Sequence, residues 1–153
     1  MTVNFQLLPD AVEVARLQTK QDVLERLAAI FAAKYGIDEA AVLDGMEERE
    51  KLGSTGFGSG VAIPHARSNA VSRPVAVLLR LEHPVEFAAA DAMPVELVFG
   101  LLSPENAGAA HLHALAAISR LVRDEAALEA LLEAPTAEAI YALLSNQIDA
   151  DAA

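Results

Sequence analysis

The chain has 153 residues, of which 22 are Asp or Glu and 11 are Lys or Arg, so its net charge is −11. This length fits a single domain that buries about two-thirds of its unfolded surface, and a composition that is 54% hydrophobic supplies the core. The acidic balance argues against nucleic acid as a partner, and the absence of cysteine excludes disulfides and thiolate chemistry.

Targeting segments are not expected. Residues 1–8 lack the basic start and the long apolar run of a signal peptide, and no stretch reaches the roughly 18 uninterrupted apolar residues of a membrane span. These features predict a cytoplasmic protein that does not cross the membrane. We expect one domain over residues 1–153, with a core at about 5–146 and a frayed tail at 147–153.

The amino-terminal part predicts a helix after an ambiguous start. Residues 1–17 fit either a short helix or an extended edge strand. Thr19 followed by Asp22 is the pattern of a capping box, apolar residues then recur at helical spacing, and Gly36 ends this helix.

A second helix is predicted after Asp38, which is its cap. Gly45 in its middle weakens it by about 1 kcal/mol relative to alanine. The helix runs out near Arg49 and Lys51, and it delivers these basic side chains to the start of a glycine-rich segment. The same charged residues could also form an ordinary solvated helix end.

Residues 53–68, with the sequence GSTGFGSGVAIPHARS, are the segment around which the prediction of function is organised. Glycines allow the backbone to approach a ligand closely and leave N–H groups free to face an anion. The apolar residues 61–63 predict a short buried strand, which Pro64 ends because proline has no amide proton. His65 is therefore expected at a strand end beside many backbone donors, a position suited to meeting a phosphoryl group.

Charge is unevenly distributed around this segment. Residues 51–81 contain no acidic residue and carry a local charge of +4, so the remainder of the chain carries −15. An anion approaching this acidic protein is attracted to that part of the chain. The charge pattern and the Pro64–His65 junction together favour a functional site over an ordinary loop with a core histidine. The four basic residues are Lys51, Arg67, Arg73 and Arg80.

Two apolar runs downstream predict strands that are buried on both faces, and three polar or proline-containing pieces predict the turns around them. The strands are residues 75–81 and 95–102. The turns are residues 66–73, 83–84 and 91–94.

Three helices complete the chain: one begins near Gly108, and two more are capped by Asp124 and Thr136. Because strands alternate with helices, the sequence predicts an α/β fold, a single-domain sandwich with a mixed, mostly parallel central sheet flanked by helices.

The helix near Gly108 carries two histidines on different faces. At 100° per residue, His111 shares the apolar stripe with Leu115 and Ile118, whereas His113 lies about 160° away on the polar side. His111 is therefore expected to point toward the strand ends and His113 toward solvent. This separation argues against a zinc site built from the pair, because the two side chains could not share one ion.

The segment GSTGFGSGVAIPHARS closely resembles the active-site signature of enzyme IIA of the fructose/mannitol type, from the bacterial phosphoenolpyruvate-dependent phosphotransferase system (PTS EIIA type 2). Residues 49–56 (REKLGSTG) and 111–115 (HLHAL) also fit, and the resemblance covers roughly residues 18–144. Ala66 stands where the family more often has glycine, which is a small change. A free-standing domain of this length is most similar to the nitrogen-regulatory branch of the family.

The resemblance implies that His65 carries a phosphoryl group on the ring nitrogen farther from the backbone, and that Arg49 and His111 line the same pocket. Phosphoryl transfer requires donors that compensate the charge on the phosphoryl oxygens. No cofactor and no metal ion are expected. The candidate phosphate-binding residues are Ser54, Thr55 and Gly56.

Two functions fit this resemblance. A nitrogen-branch regulator would receive phosphate from an HPr-like phosphocarrier protein and bind regulatory target proteins, whereas a sugar-uptake enzyme IIA would pass it to a separate enzyme IIB. The length of the chain, without a IIB domain, favours the regulator.

Two functions outside phosphoryl transfer are alternatives. A nucleotide-binding loop is disfavoured, because residues 53–60 lack a terminal Gly-Lys-Ser/Thr and precede a strand instead of following one. A pure interaction module stays open, since phosphorylation at His65 would itself change the charge of a binding face.

Overall fold

The structure is a computed structural model that describes residues 4–152, with the backbone alone described for residues 147–152. Residue 153 of the predicted tail lies outside the described residues, and the last helix covers the backbone of the rest. As far as the chain is described, none of its helices combines the length and the apolar character that a membrane span requires. The strands are β1 (Gln6–Ala15), β2 (Gly56–Gly58), β3 (Val61–Ala62), β4 (His65–Ser68), β5 (Val75–Val85) and β6 (Val95–Pro104). The helices are α1 (Lys20–Tyr35), α2 (Glu39–Lys51), α3 (Gly108–Arg123), α4 (Glu125–Glu133) and α5 (Ala137–Ala152).

The strands form one sheet in the order β1-β5-β6-β3-β2, with β4 also paired to β6. β1 runs parallel to β5, and both β3 and β4 run parallel to β6, whereas the β5–β6 and β2–β3 pairs are antiparallel. The helices form two groups around the sheet, α1 with α2, and α3 with α4 and α5. The predicted α/β fold with a mixed, mostly parallel sheet is therefore confirmed.

β3 and β4 lie one after the other along β6. Ala62 pairs with Val98 and His65 with Leu101, so the two short strands keep the same register across the break between them. Pro64 causes the break because it has no amide proton, while its carbonyl still accepts a hydrogen bond from the Leu101 amide at 3.0 Å. This arrangement places His65 at the start of β4.

The helix caps expected from the sequence are present. Thr19 accepts a hydrogen bond from the Asp22 amide, and the Asp22 carboxylate accepts one from the Thr19 amide, which completes the capping box. Gly36 ends α1 with a left-handed φ of 68°, a conformation that glycine adopts without a Cβ clash. Further side-chain caps on α2, α4 and α5 come from Asp38, Asp124 and Thr136.

The structure decides between the two alternatives for one segment and differs from the prediction at two others. Residues 1–17, which fit either a helix or a strand, contain strand β1. The polar turn predicted at 66–73 is wrong for its first part, because β4 extends to Ser68. The turn predicted at 83–84 is wrong as well, because β5 runs to Val85. In both cases pairing with β6 extends a strand through residues whose own pattern is polar.

Two glycines allow helices to approach the sheet closely. A Cβ at Gly45 of α2 would lie 3.1 Å from the Cβ of Ala66 in β4, a tighter contact than most side chains make. A Cβ at Gly100 of β6 would similarly meet Leu27 and Phe31 of α1, at 3.0 and 3.1 Å. The close contact at Gly45 brings the end of α2 toward β4.

Candidate active site

Both ring nitrogens of His65 are engaged. Nδ1 lies 2.7 Å from the carbonyl oxygen of Ile63, and Nε2 lies 3.2 Å from Nε of Arg49. A carbonyl only accepts and a guanidinium only donates, so Nδ1 carries the proton and Nε2 accepts with its lone pair. The half-buried ring is therefore held as the neutral tautomer whose nucleophilic nitrogen is Nε2, the one farther from the backbone.

Arg49 reaches this ring from the last turn of α2. It also donates from Nη1 to the carbonyl oxygen of Gly53 at 2.8 Å, just beyond the end of the helix. A cation in this position interacts favourably with the carbonyl end of the helix dipole. The guanidinium thus joins the helix end, the start of the glycine-rich segment and the imidazole, and it is more than a solvated surface charge.

His111 forms the other side of the site from the first turn of α3. It is 6% exposed, and its Nδ1 lies 2.6 Å from Oγ of Ser103, a fully buried residue of β6. The centres of the His65 and His111 rings lie 5.4 Å apart, with a tilt of 51° between the rings. His113 on the opposite face is exposed, so the prediction that His111 faces inward and His113 outward is confirmed.

The surroundings favour the neutral form of both imidazoles. Burial lowers the pKa of His65; the Ile63 carbonyl opposes this effect, and the charge of Arg49 lowers the pKa further. Burial likewise lowers the pKa of His111 to about 4, helped by the charge of Arg67 and the proximity of His65. A neutral His65 keeps its Nε2 lone pair available near neutral pH.

The basic residues of the acid-free segment 51–81 do not converge on one point. Arg80 donates to main-chain carbonyls at the end of α4, and Lys51 pairs with a neighbouring glutamate at 3.0 Å in an exposed position. Arg67 lies two residues beyond His65 on the same face of β4, and it lowers the pKa of both histidines. Arg67 is therefore a cation that the fold brings to the histidine pair.

The residues predicted to bind phosphate are engaged within the protein. The hydroxyl of Ser54 donates to the carbonyl of Phe87 and accepts from the amide of Gly56. The hydroxyl and the amide of Thr55 both donate to the carboxylate of Glu50. Because a hydroxyl has one proton to donate, these contacts occupy the side-chain donors that the sequence had assigned to a phosphate.

Glu50 holds the turn between α2 and β2 in place. Its carboxylate is 7% exposed and lies 2.6 Å from Nζ of Lys20, in addition to its two bonds from Thr55. Lys20 also lies 4.9 Å from the centre of the Phe87 ring. One carboxylate therefore ties together the start of α1, the end of α2 and the glycine-rich segment.

Sequence reasoning did not single out Glu50, Ser103 or Arg67 as part of the site. Ser103 had a usable signal, since it is a polar residue inside the apolar strand β6 and a buried hydroxyl needs a partner. Arg67 could be found from the two-residue period of a strand, but only once β4 was recognised as a strand. Glu50 had no local signal, because it lies in a run of charged residues that is typical of a solvated helix end.

Comparison with known proteins identifies the family. The profile of the family described as "Phosphoenolpyruvate-dependent sugar phosphotransferase system, EIIA 2" matches residues 7–147. The chain belongs to this family. The EIIA type 2 domain is therefore a component of the phosphotransferase system, as the resemblance implied.

Relatives of the EIIA domain include both regulatory and sugar-specific proteins. A nitrogen regulatory protein of Bradyrhizobium diazoefficiens is 41% identical over 146 residues, 95% of either chain. A PTS system fructose-specific EIIA component of Haloferax volcanii is 35% identical over 132 residues, 86% of either chain.

Solved structures share the fold. The crystal structure of nitrogen regulatory protein IIA-Ntr from Neisseria meningitidis has a TM-score of 0.84 at 34% identity, covering 90% of this chain and 95% of that one. Enzyme IIA for mannitol from Escherichia coli, solved in complex with phosphorylated enzyme IIB, has a TM-score of 0.77 at 19% identity, covering 92% and 99%. The second likeness concerns the fold alone.

Proposed function

We propose that this EIIA domain is a phosphoryl carrier that accepts a phosphoryl group on Nε2 of His65 from an HPr-type phosphocarrier protein. The observation that carries the proposal is the pair of hydrogen bonds on the His65 ring. The carbonyl of Ile63 keeps the proton on Nδ1, so the lone pair of Nε2 is directed toward Arg49. The attacking nitrogen is already unprotonated, and the reaction needs no separate base.

The proposed step is an in-line displacement at phosphorus. Nε2 of His65 forms a bond to phosphorus while the bond from phosphorus to its donor atom on the carrier breaks, and that atom keeps the electron pair. The His65 ring gains positive charge as the new bond forms. The Nδ1–H bond to the Ile63 carbonyl stabilises this charge. The reverse of the same step hands the group to the next acceptor.

Arg49 and His111 are the proposed catalytic partners of His65. Arg49 donates to Nε2 in the unmodified domain, so the incoming phosphoryl group takes over this donor, and the guanidinium compensates the charge on its oxygens. In this proposal the Ser103 hydroxyl is the donor in its 2.6 Å bond to Nδ1 of His111, so that Nε2–H of His111 serves as a second donor to the phosphoryl group. Residues 54–56 act in this proposal by shaping the turn. A direct bond from the hydroxyl of Ser54 or Thr55 to phosphate requires that hydroxyl to leave its present acceptor.

Within the family we propose the nitrogen-regulatory role, with regulatory target proteins as partners. The support is the 41% identity to a nitrogen regulatory protein across 95% of both chains. The second candidate is a sugar-specific enzyme IIA that passes the group to enzyme IIB, supported by the 35% identity to a fructose-specific component. Both roles belong in the cytoplasm.

Intact-mass analysis after incubation with phosphoenolpyruvate, enzyme I and an HPr-type carrier tests the site. We expect one acid-labile phosphoryl group on the wild-type domain and on His83→Ala, which removes an exposed histidine of β5. We expect none on His65→Ala. Phosphorylation of His65→Ala would overturn the assignment.

A second experiment separates the two roles. The phosphorylated domain is mixed with purified enzyme IIB of the fructose and mannitol types, and loss of phosphate from the domain is followed by mass. The regulatory role predicts loss no faster than hydrolysis. Rapid transfer to a IIB protein would assign the domain to sugar uptake instead.

A further inference from the structure

The tip of the glycine-rich segment displays an aromatic side chain on the surface. Phe57 lies in β2 between two glycines and is 36% exposed. Its two neighbours pair with consecutive residues of β3, so Phe57 is the extra residue of a β-bulge. A bulge changes the direction in which a side chain points. Here Phe57 faces a groove next to α3 and α4.

This Phe57 groove has a volume of about 470 Å³, and its lining combines apolar side chains with charged ones. Phe57 faces Val122 at the end of α3 and the half-buried Leu128 and Leu132 of α4. Three exposed glutamates follow at four-residue intervals along α4 and form an acidic row beside the two leucines. These glutamates are Glu125, Glu129 and Glu133.

The Phe57 groove is separate from the phosphoryl-transfer site. Val61, beside the hairpin tip, pairs with Leu97 of β6, whereas His65 pairs with Leu101. Four residues of strand correspond to roughly 13 Å along β6. The two places are also at opposite ends of α3, whose first turn carries His111. A molecule bound in the groove would therefore leave the His65 face accessible.

We propose that the Phe57 groove docks a basic amphipathic helix of a protein partner. The apolar face of that helix packs on Phe57, Leu128 and Leu132, and its Lys or Arg side chains meet the acidic row, as in helix-in-groove recognition. Aromatic side chains in such grooves contribute much of the binding free energy.

Charge complementarity indicates which kind of partner binds in the Phe57 groove. The acidic row attracts a cationic partner and repels a second copy of this chain, whose net charge is −11. Arg123, whose guanidinium lies 5.5 Å from the centre of the Phe57 ring, also lines the groove, but the three glutamates outnumber this one cation. The proposal goes beyond the phosphoryl-carrier role and does not depend on it.

The test uses a synthetic amphipathic helical peptide of leucine and lysine as the probe, with binding measured by calorimetry and mapped by amide NMR shifts. We expect shift changes centred on Phe57 and α4. Phe57→Ala and Glu129→Lys should each weaken binding by about tenfold or more. The matched charge reversal Glu138→Lys, at an exposed position of α5, should leave the affinity within about twofold.

The peptide controls separate groove binding from general attraction to an acidic protein. A peptide with serine in place of leucine should bind at least about tenfold more weakly, since its apolar contacts are lost. Equal binding of the two peptides, or of Phe57→Ala and the wild type, would overturn the proposal.

Two further measurements address other occupants. Sedimentation velocity should show no self-association of the wild-type domain through this groove. Self-association that is lost in Phe57→Ala would identify a second copy of the chain as the occupant and would contradict the proposal. Phe57→Ala should accept phosphate from the carrier at the wild-type rate. Slower phosphorylation of Phe57→Ala would indicate that the phosphocarrier protein docks in the groove, and it would contradict the proposal that the groove binds a different partner.

Discussion

The α2 side and the α3 side of the His65 site are built from different interactions. On the α2 side, Arg49 and Glu50 make charge-assisted hydrogen bonds that join two helices, the glycine-rich segment and the imidazole. On the α3 side, His111 is held by burial and by its bond to Ser103. The first side depends on fixed charges, and the second depends on exclusion of water. Substitution of one charged group should disturb the first, and a change of pH should disturb the second.

The largest difference between the two sides should appear on replacing the guanidinium. Arg49→Ala removes a charged donor from the phosphoryl oxygens and should slow phosphorylation by roughly a hundredfold. Arg49→Lys should recover only part of the rate, because an ammonium lacks the planar fork that joins His65 to Gly53. Rapid-quench measurement with labelled carrier gives both rates. If Arg49→Ala were phosphorylated at the wild-type rate, Arg49 would have a structural role only.

Glu50→Gln tests whether the hydrogen bonds of the Glu50 carboxylate hold the Arg49 guanidinium in position. Loss of the carboxylate that holds Thr55 and Lys20 should cost about 2 kcal/mol of unfolding free energy. The displaced turn should also slow transfer by roughly tenfold at saturating carrier, with little change in KM.

The matched control is Glu48→Gln, which makes the same change at a side chain that is 73% exposed. It should alter neither the urea midpoint nor the rate. If Glu50→Gln lost stability but kept the rate at saturating carrier, Glu50 would be structural only.

The contribution of the α3 side should be visible in the pH dependence of stability. Burial holds the pKa of His111 at about 4 in the folded state, against 6.5 when unfolded, so acid favours the unfolded chain between these values. His111→Asn removes this titration. The stability advantage of the wild type over the variant should therefore shrink by on the order of 2 kcal/mol as the pH falls from 7 to 4. Urea unfolding followed by circular dichroism measures it, and a constant difference would contradict the assigned burial.

The smallest effect is expected two residues further along the same helix. His113→Ala removes an exposed imidazole on the opposite face of α3 and should change neither stability nor phosphorylation rate. A larger loss of rate in His113→Ala than in His111→Asn would reverse the order that the helix geometry predicts.

Local features of the site could be predicted from the sequence. The capping residues Thr19 and Asp22 act within one turn of chain, and the inward direction of His111 follows from helical periodicity, so neither depends on distant residues. The place of His65 beside Pro64 likewise follows from the missing amide of proline.

The parts that could not be predicted depend on pairing between distant segments. β4 looked like a turn because its residues are polar, and it is a strand because β6 offers it hydrogen bonds. The role of Glu50 requires Lys20, thirty positions earlier in the chain, to lie beside it. For the same reason, the hydroxyl donor of Ser54 could not be known to be occupied, since its partner Phe87 lies far along the chain.

The near contact between Gly45 and Ala66 has a consequence for how far Arg49 can reach. The space between α2 and β4 accommodates one methyl group, and the strand supplies it. An alanine at position 45 would gain about 1 kcal/mol of helix propensity but would meet that methyl group, and the helix would have to move outward. Arg49 is four residues further along the same helix, so such a movement would lengthen its 3.2 Å contact with His65. In related proteins, we therefore expect a larger side chain at position 45 to be accompanied by glycine at position 66, and a larger side chain at position 66 to be accompanied by glycine at position 45.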